Sequence, residues 1–295
     1  MRIYSYMITG EEDGMKILDF LRGKQGFSHG LITRLKRIPD GILKDGVHAR
    51  TIDRLSVGEV LTIRVYDESP KEIVTSYTAV EPVYEDEDVL VFDKPPYTPV
   101  HQSRWHQADT LANVYAGYCE RHHLPLSSFR PVNRLDKDTS GLVAVAKNSH
   151  AAAFLSGKIQ KEYLAVAEGT FKQECGVIDA PVGREYEDSI RRCVTDSGQR
   201  AVTKYTVLRQ SGTHALVLCR LETGRTHQIR VHFSYLGHPL AGDLLYGGNP
   251  DFIGRQALHC HQLLFFCPQQ EKPVTVTAEI PPDIRCLYCS TGLAR

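Results

Sequence analysis

The 295-residue chain predicts an α+β fold, because runs with strand spacing and runs with helical spacing alternate without a fixed period. The strand-like runs are Val89 to Phe92, Gly141 to Ala146, Tyr163 to Glu168, Val202 to Leu208, His214 to Leu221 and Val274 to Ile280. The helical runs are Thr110 to Arg121, Ala151 to Lys158 and Ile229 to Leu236. A parallel sheet would require regular strand–helix–strand units, so α+β is favoured over α/β.

The N-terminal part has a pattern of its own, and a boundary is expected near residues 67 to 78. Two short helices are predicted at Leu18 to Leu21 and Leu31 to Leu35, followed by strand and turn segments at 41–47 and 55–65. We therefore divide the chain into a small α/β module over 1–67, a linker over 68–79 and a main domain over 80–295.

Composition is typical of a folded cytoplasmic protein. Apolar residues make up 42% of the chain, which suffices for a sizeable core. The sequence contains neither an apolar run long enough to span a membrane nor the basic-then-apolar start of a signal peptide. The eight cysteines are therefore expected to be reduced thiols, and a monomer is the default expectation.

A metal site is not predicted. Cys286 and Cys289 form a C-x-x-C pair, but one such pair is weak evidence because structural zinc needs two further ligands. The residues 259–261 (His-Cys-His) could supply them, yet they lie in an alternating, strand-like segment. No nucleotide or flavin motif is present either, so no cofactor is expected.

The formal net charge is zero, but the charges are unevenly distributed. Acidic residues crowd the segment 67–93. Basic residues cluster in two places, at Arg34, Lys36 and Arg37 and at Arg184, Arg191 and Arg192. Nucleic-acid binding depends on local positive potential rather than on net charge, so these two clusters are the candidate phosphate contacts. A merely solvated charged face is the alternative for most single members.

The most informative segment is 130–148, RPVNRLDKDTSGLVAVAKN. Two apolar runs enclose a polar turn at 138–141, so Arg134 and Asp136 stand at a junction between strand and turn. In extended chain, residues i and i+2 share a face, which would place both side chains on one surface. Taken alone, the pair is equally consistent with a surface ion pair.

This segment resembles the catalytic motif H-R-L-D-x-x-T-S-G-L of the RluA family of RNA pseudouridine synthases. The match departs only at Asn133, which replaces the histidine. The aspartic-protease motif D-T-G fails, because Ser140 separates Thr139 from Gly141 and no second carboxylate motif appears.

Three further segments match the family in the same order, so that the resemblance spans roughly residues 80 to 282. Residues 221–248 resemble its G-R-x-H-Q-[IL]-R-x-H and G-x-P-[IL]-x-G-D-x-x-Y-G signature. Residues 161–165 resemble K-x-Y-L-A, and residues 91–97 with His101 resemble the opening K-P motif. The resemblance implies a bent, mainly antiparallel mixed sheet with flanking helices and a central cleft.

The N-terminal module is similar to the S4-like RNA-binding domain that some family members carry. Asp45-Gly46 and Gly58-Glu59 stand where Asn-Gly and Gly-Asp are usual. An RNA-binding role is favoured, with a module that only packs against the main domain as the alternative.

The resemblance also implies a reaction, the isomerisation of uridine to pseudouridine in RNA. Asp136 matches the catalytic carboxylate, acting either as a nucleophile at C1′ or as a base on the 2′ proton. Arg225 is expected to pair with it, and Arg134 to fill the stack that a flipped uridine leaves. Tyr163 would lie against the uracil and accept its C5 proton. The remaining pocket residues are implied to support the base or bind phosphate: His227, Gln228, Ile229 and Arg230.

Two other functions stay open at this stage. A catalytically silent RNA-binding protein on the same fold would not need Asp136, Tyr163 and Arg225 together. A glycoside hydrolase usually needs two carboxylates, and Asp138 is the one near candidate. Whether the substrate is ribosomal or transfer RNA is left open by the sequence.

Overall fold

The computed structural model describes residues 1–67, 73–76, 78–270 and 272–293. The strands are β1 (Arg2–Met7), β2 (Ile42–Lys44), β3 (Val47–His48), β4 (Val60–Val65), β5 (Pro82–Glu85), β6 (Val89–Lys94), β7 (Ser140–Ala146), β8 (Gln160–Glu168), β9 (Cys175–Asp179), β10 (Val182–Arg184), β11 (Arg192–Val194), β12 (Val202–Gln210), β13 (His214–Leu221), β14 (Leu258–Phe265) and β15 (Val274–Thr277). The helices are α1 (Ile17–Asp19), α2 (His29–Leu35), α3 (Leu111–Arg121), α4 (Ser149–Leu155), α5 (Gln228–Tyr235) and α6 (Pro282–Ser290). A π-helical turn at Phe20–Lys24 continues α1, and a 3₁₀ turn occupies Leu244–Tyr246.

The N-terminal strands form a sheet in the order β1-β4-β2-β3, with all pairs antiparallel. Strands β2 and β3 are joined by Asp45 and Gly46, both with positive φ, as a tight hairpin turn requires. The helices α1 and α2 cover this sheet, and their apolar residues share a buried cluster with it that runs from Tyr4 to Val65. Ser28 caps α2 by accepting a hydrogen bond from the Leu31 N–H.

The main sheet runs β5-β6-β7-β14-β8-β13-β12-β9, with β15 beside β14. Its described pairings are antiparallel except for β7 with β14, so the prediction of a mainly antiparallel mixed sheet is confirmed. Gly141 stands at the parallel contact with φ 112°, and a Cβ there would come within 2.3 Å of the Cys260 carbonyl oxygen. Only glycine fits this position.

The predicted helices and strands of the main domain are all present, with ends shifted by a few residues. Thr110 is the N-cap of α3 rather than its first residue, because its side chain and that of Asn113 form a reciprocal capping box. Strand β15 ends at Thr277, three residues before the predicted end. No described helix has the length and apolar character needed to cross a membrane.

The N-terminal sheet contacts the main domain through a group of buried polar and aromatic side chains, which we call the interface cluster. Its members are Arg2, Tyr4, Phe27, Asp88, Asn148 and His150. The proposed division at residues 67 and 80 stays a prediction, and half of the expected linker (68–72 and 77) lies outside the described residues.

Candidate active site

A cavity of about 280 Å³ opens where β7, β8 and the N-terminus of α5 meet. Every catalytic or substrate-binding residue predicted from the sequence lines it: Arg134, Asp136, Tyr163, Arg225, His227, Gln228, Ile229 and Arg230. These residues come from three segments that are far apart in the chain. The fold therefore joins the two signature motifs and the K-x-Y-L-A strand into one site.

Asp136 lies on the rim of this cavity with about a quarter of its side chain exposed. Arg230 Nη1 donates a hydrogen bond to Asp136 Oδ2 at 3.2 Å. The Nε and Nη2 atoms of Arg230 donate to both oxygens of Asp243, at 2.6 and 2.8 Å. The guanidinium of Arg230 is buried, and Asp243 binds its Nε/Nη2 edge while Nη1 faces Asp136. A buried cation thus holds one oxygen of Asp136.

The expected ion pair between Arg225 and Asp136 is wrong. Arg225 lines the cavity, but its Nε donates to the carbonyl oxygen of Arg200 at 3.1 Å. Arg225 stands in the loop before α5, whereas Arg230 stands within the first two turns of that helix. The signature contains two arginines five residues apart, and only the folded helix decides which of them faces the carboxylate.

The turn that follows Asp136 is held from several sides. Lys94, fully buried at the end of β6, donates from Nζ to the carbonyl oxygen of Lys137 at 3.0 Å. Burial lowers the pKa of Lys94 to about 7. Arg255 donates to the carbonyl of Asp138 at 3.1 Å and to Ser140 Oγ at 3.2 Å. These bonds fix the backbone next to Asp136, which is the preorganisation that a reactive side chain needs.

Asn133, the one departure from the family motif, is satisfied by backbone groups. Its Nδ2 donates to the carbonyl of Leu142 at 3.0 Å, and its Oδ1 accepts from the N–H of Ala144 at 2.8 Å. The amide therefore pairs with β7 as a neighbouring strand would, and it ties the approach to Asp136 onto that strand. This position carries a structural amide in this chain.

Tyr163 and Ile229 form apolar walls of the cavity, and both are buried. Tyr163 lies on β8 between Cys219 of β13 and Cys260 of β14. Burial, aided by the nearby charge of Asp136, raises the pKa of the Tyr163 hydroxyl well above its ordinary value. Tyr163 is accordingly a neutral phenol at physiological pH.

Gln228, the first residue of α5, supports the cavity wall. Its Oε1 accepts from the Arg225 N–H and from Thr223 Oγ1, both at 2.9 Å. Its Nε2 donates to the carbonyl of Val202 and to Thr203 Oγ1, both at 3.0 Å. With its amide fully engaged by protein groups, Gln228 shapes the loop before α5.

His227 precedes α5 in a left-handed conformation with φ 59°. Its Nε2 lies 3.8 Å from Asp136 Oδ2, and its Nδ1 lies 2.8 Å from the hydroxyl of Tyr246. Burial lowers the pKa of His227 below its ordinary value despite the nearby Asp136 charge. His227 is therefore neutral at pH 7 and stands between the carboxylate and Tyr246.

The candidate phosphate contacts lie outside the cavity. Arg34, Lys36 and Arg37 are exposed at the end of α2. Arg191 and Arg192 lie at the start of β11, which pairs with β10 as a small hairpin. The hairpin reaches the site indirectly, because the Arg192 N–H donates to the Tyr246 hydroxyl at 2.9 Å.

Several residues that shape the site received no role from the sequence. Lys94, Asp243 and Tyr246 each belong to a segment that matched the family, so their fixed spacing within those motifs was the available signal. Arg255 lies outside the motifs, and no pattern marked it. A further cavity residue, Lys161, has its pKa lowered by burial.

Among the described side chains, no group of three or more His, Cys, Asp or Glu is placed to hold a metal ion. Cys286 and Cys289 are exposed free thiols on α6. His259 is directed elsewhere, with its Nδ1 3.0 Å from Ser140 Oγ.

Comparison with known proteins gives a consistent result. A family model described as RNA pseudouridylate synthase matches residues 88–235. The protein named uncharacterized RNA pseudouridine synthase YjbO of Bacillus subtilis is 39% identical over 272 residues, covering 89% of this chain and 94% of the relative. Ribosomal large subunit pseudouridine synthase D of Xanthomonas campestris pv. campestris is 34% identical over 280 residues, covering 88% and 84%.

Solved structures agree with these sequence matches. Human RNA pseudouridylate synthase domain containing 1 is 29% identical with a TM-score of 0.56, covering 72% of this chain and 89% of that one. Human RNA pseudouridylate synthase domain containing 4 has a TM-score of 0.60 at 22% identity, which bears on the fold alone. Together with the joined motifs in the cavity, these matches establish that the chain belongs to the RluA family of RNA pseudouridine synthases, which are isomerases.

Proposed function

We propose that the chain isomerises specific uridines in structured RNA to pseudouridine, with Asp136 as the catalytic carboxylate. The observation that carries this proposal is the state of Asp136 in the cavity. Arg230 engages Oδ2, whereas no donor among the described residues lies within hydrogen-bond reach of Oδ1. A carboxylate oriented by a buried arginine, with one oxygen left for a ligand, suits attack at C1′ or removal of the 2′ proton.

The cavity fits one extruded nucleotide. Its volume of about 280 Å³ lies at the small end of ligand pockets, and duplex RNA could not enter it. The target uridine would have to be flipped out, at a cost of a few kcal/mol. Arg134 is exposed at the entrance, where its planar guanidinium would occupy the vacated stack.

The walls suit a flat base. Tyr163 would lie on one side of the uracil and Ile229 on the other. The glycosidic bond breaks, the uracil turns, C5 bonds to C1′, and the proton lost from C5 is balanced by one gained at N1. Since burial keeps Tyr163 as a phenol, it must first lose its own proton if it accepts the C5 proton.

The substrate is proposed to be ribosomal RNA. Relatives named ribosomal large subunit pseudouridine synthase D support this choice over transfer RNA. The exposed basic groups on α2 and on the β10–β11 hairpin would contact phosphates. Within this proposal the enzyme works as a cytoplasmic monomer. Mapping pseudouridines in total RNA with and without the gene would identify the substrate, and sites confined to transfer RNA would refute the ribosomal assignment.

The catalytic assignment is tested by Asp136→Asn in an assay of tritium release from RNA labelled at C5 of uridine. We expect folded protein that binds RNA and releases tritium more than about 10³-fold more slowly. Asp138→Asn is the matched control, because Asp138 lies in the same turn and contributes its backbone carbonyl to the bond with Arg255. Full activity in Asp136→Asn would refute the role of Asp136. Wild-type protein that binds RNA and forms no pseudouridine would instead identify a silent RNA-binding protein.

A further inference from the structure

Tyr246 connects the β10–β11 hairpin to the candidate active site through a single buried hydroxyl. The residue is 4% exposed and ends the 3₁₀ turn that follows Asp243. Its Oη lies 2.9 Å from the backbone nitrogen of Arg192 and 2.8 Å from His227 Nδ1. The other ring nitrogen of His227 faces Asp136 Oδ2 at 3.8 Å. One chain of polar contacts therefore leads from the hairpin to the carboxylate.

Hydrogen-bond roles along this chain favour one tautomer. A backbone N–H can only donate, so Tyr246 Oη accepts from Arg192, and its own hydrogen is available for His227. When His227 Nδ1 accepts that hydrogen, the proton of the neutral imidazole resides on Nε2. The contact with Asp136 favours the same tautomer independently. An unprotonated Nε2 would direct its lone pair at Asp136 Oδ2, and the two would repel each other, whereas Nε2–H is attracted to that oxygen.

The backbone of His227 adds a second kind of evidence. Its φ of 59° is a left-handed conformation that a β-carbon makes unfavourable. Such strain persists where surrounding contacts over-determine it, and it concentrates at functional sites. Here the next residue, Gln228, is anchored by four hydrogen bonds, which hold His227 in place.

We propose that His227 is a positioning residue for Asp136, held as its Nε2–H tautomer by Tyr246. In this arrangement Arg230 and His227 both direct N–H groups at Asp136 Oδ2, and the carboxylate presents Oδ1 to the ribose. The proposal rests on the proposed function of Asp136. We expect the 3.8 Å separation to shorten to a hydrogen bond when RNA is bound, as catalytic hydrogen bonds commonly do.

The tautomer can be measured without any assay of activity. In protein labelled with ¹⁵N-histidine, long-range proton–nitrogen spectra distinguish protonated Nε2 from protonated Nδ1, and the spectrum of His227→Asn identifies the His227 signals. We expect wild type to carry the proton on Nε2, and Tyr246→Phe to show a mixture of tautomers. Tyr288→Phe is the matched control, because Tyr288 is a buried tyrosine in a separate apolar cluster. A proton on Nδ1 in wild type would overturn the proposal.

Single-turnover rates test whether this tautomer matters for the reaction. Tyr246→Phe should lower the single-turnover rate constant about tenfold, because the hydrogen bond from His227 to the charged Asp136 would be lost in part of the molecules. The affinity for RNA should be unchanged. His227→Gln keeps an N–H at a similar reach and should retain more activity than His227→Asn, which tolerates the left-handed backbone but is too short. Equal rates for wild type, Tyr246→Phe and His227→Asn would refute positioning. Absence of pseudouridine with wild type would refute the proposed function instead, while the spectra still decide the tautomer.

Discussion

Two aspartates in this protein each face an arginine, yet their surroundings differ sharply. Asp88, in the interface cluster, is 3% exposed and accepts from Tyr4 Oη at 2.6 Å, from Asn148 Nδ2 at 2.7 Å and from Arg2 at 3.1 and 3.2 Å. Asp136, in the cavity, accepts one hydrogen bond, from Arg230 at 3.2 Å, among the described residues.

The difference separates a carboxylate whose donors are all supplied by the protein from one that has an oxygen left for a ligand. The donors around Asp88 offset the cost of burying its charge and leave little capacity for a ligand. The Asp136 carboxylate has one cation bound to Oδ2, while its Oδ1 is still open to the cavity. The number of donors around a carboxylate thus indicates its role more clearly than the presence of an arginine, which both residues share.

Among changes to the partners of these two aspartates, the largest effect is expected from removing the arginine beside Asp136. Arg230→Gln removes the buried cation that Asp136 and the buried Asp243 share, so we expect an activity loss of about 10²-fold and a decrease of about 3 kcal/mol in the free energy of unfolding. Tritium release and chemical denaturation measure the two effects.

Arg225→Gln is the matched control for this variant, because Arg225 lies in the same cavity but bonds to a backbone carbonyl. We expect its activity to change by less than about threefold. A larger loss in Arg225→Gln than in Arg230→Gln would restore the assignment made from the sequence.

The next effect concerns pH and the interface cluster. His150 is buried, its ring stacks on Phe27 at 3.7 Å, and burial lowers its pKa to about 4. In the unfolded chain the His150 imidazole becomes protonated near pH 6.5, whereas in the folded protein it becomes protonated only near pH 4. Stability is therefore lost as pH falls through this window, by about 3 kcal/mol in full.

His150→Phe keeps the ring and removes the titration. Urea denaturation at pH 7 and pH 4 should show a smaller acid loss in this variant than in wild type. The charged groups near His150, which are Asp88, Arg2 and Lys158, are retained in both proteins. The same acid loss in both would show that His150 does not titrate in this window.

A smaller effect is expected from Asp88→Asn. The amide keeps an acceptor for Tyr4 but turns an NH₂ group toward Arg2, so the free energy of unfolding should fall by about 2 kcal/mol. Pseudouridine formation at 25 °C should persist, since the site is not touched. Loss of activity in fully folded Asp88→Asn would contradict a purely structural role for Asp88.

The smallest effect tests whether the N-terminal module binds RNA or only packs against the main domain. Lys36→Gln, on the exposed end of α2, should reduce the slope of log affinity against log salt by about one. Lys16→Gln, an exposed lysine of the same module outside the basic cluster, should leave that slope unchanged. Identical slopes for both variants would favour the packing role.

The residues named from the sequence line one cavity, but the contacts among them were not predicted. The motifs identified Asp136, Tyr163 and the residues before and in α5, because fixed spacing survives in the sequence. The arginine that pairs with Asp136 could not be identified in this way. Arg225 and Arg230 occupy equally recognisable positions in the motif, and which of them reaches Asp136 depends on the direction of α5. Arg255 was missed because the two groups that it contacts beside Asp136, the carbonyl of Asp138 and Ser140 Oγ, are more than a hundred residues away in the chain.

The sequence by itself determined several elements of the main domain, a turn next to Asp136 and the family, since these depend on local periodicity and short motifs. The predicted elements are β6, β7, β8, β12, β13, β15, α3, α4 and α5. The tertiary structure decided which donors surround each charge. Asp88 and Asp136 look alike as residues, and only the packing of β1 against one and the opening of a cavity beside the other separates them. Hydrogen bonds and burial between distant segments leave no periodic trace in the chain, so the open oxygen of Asp136 becomes apparent only in the fold.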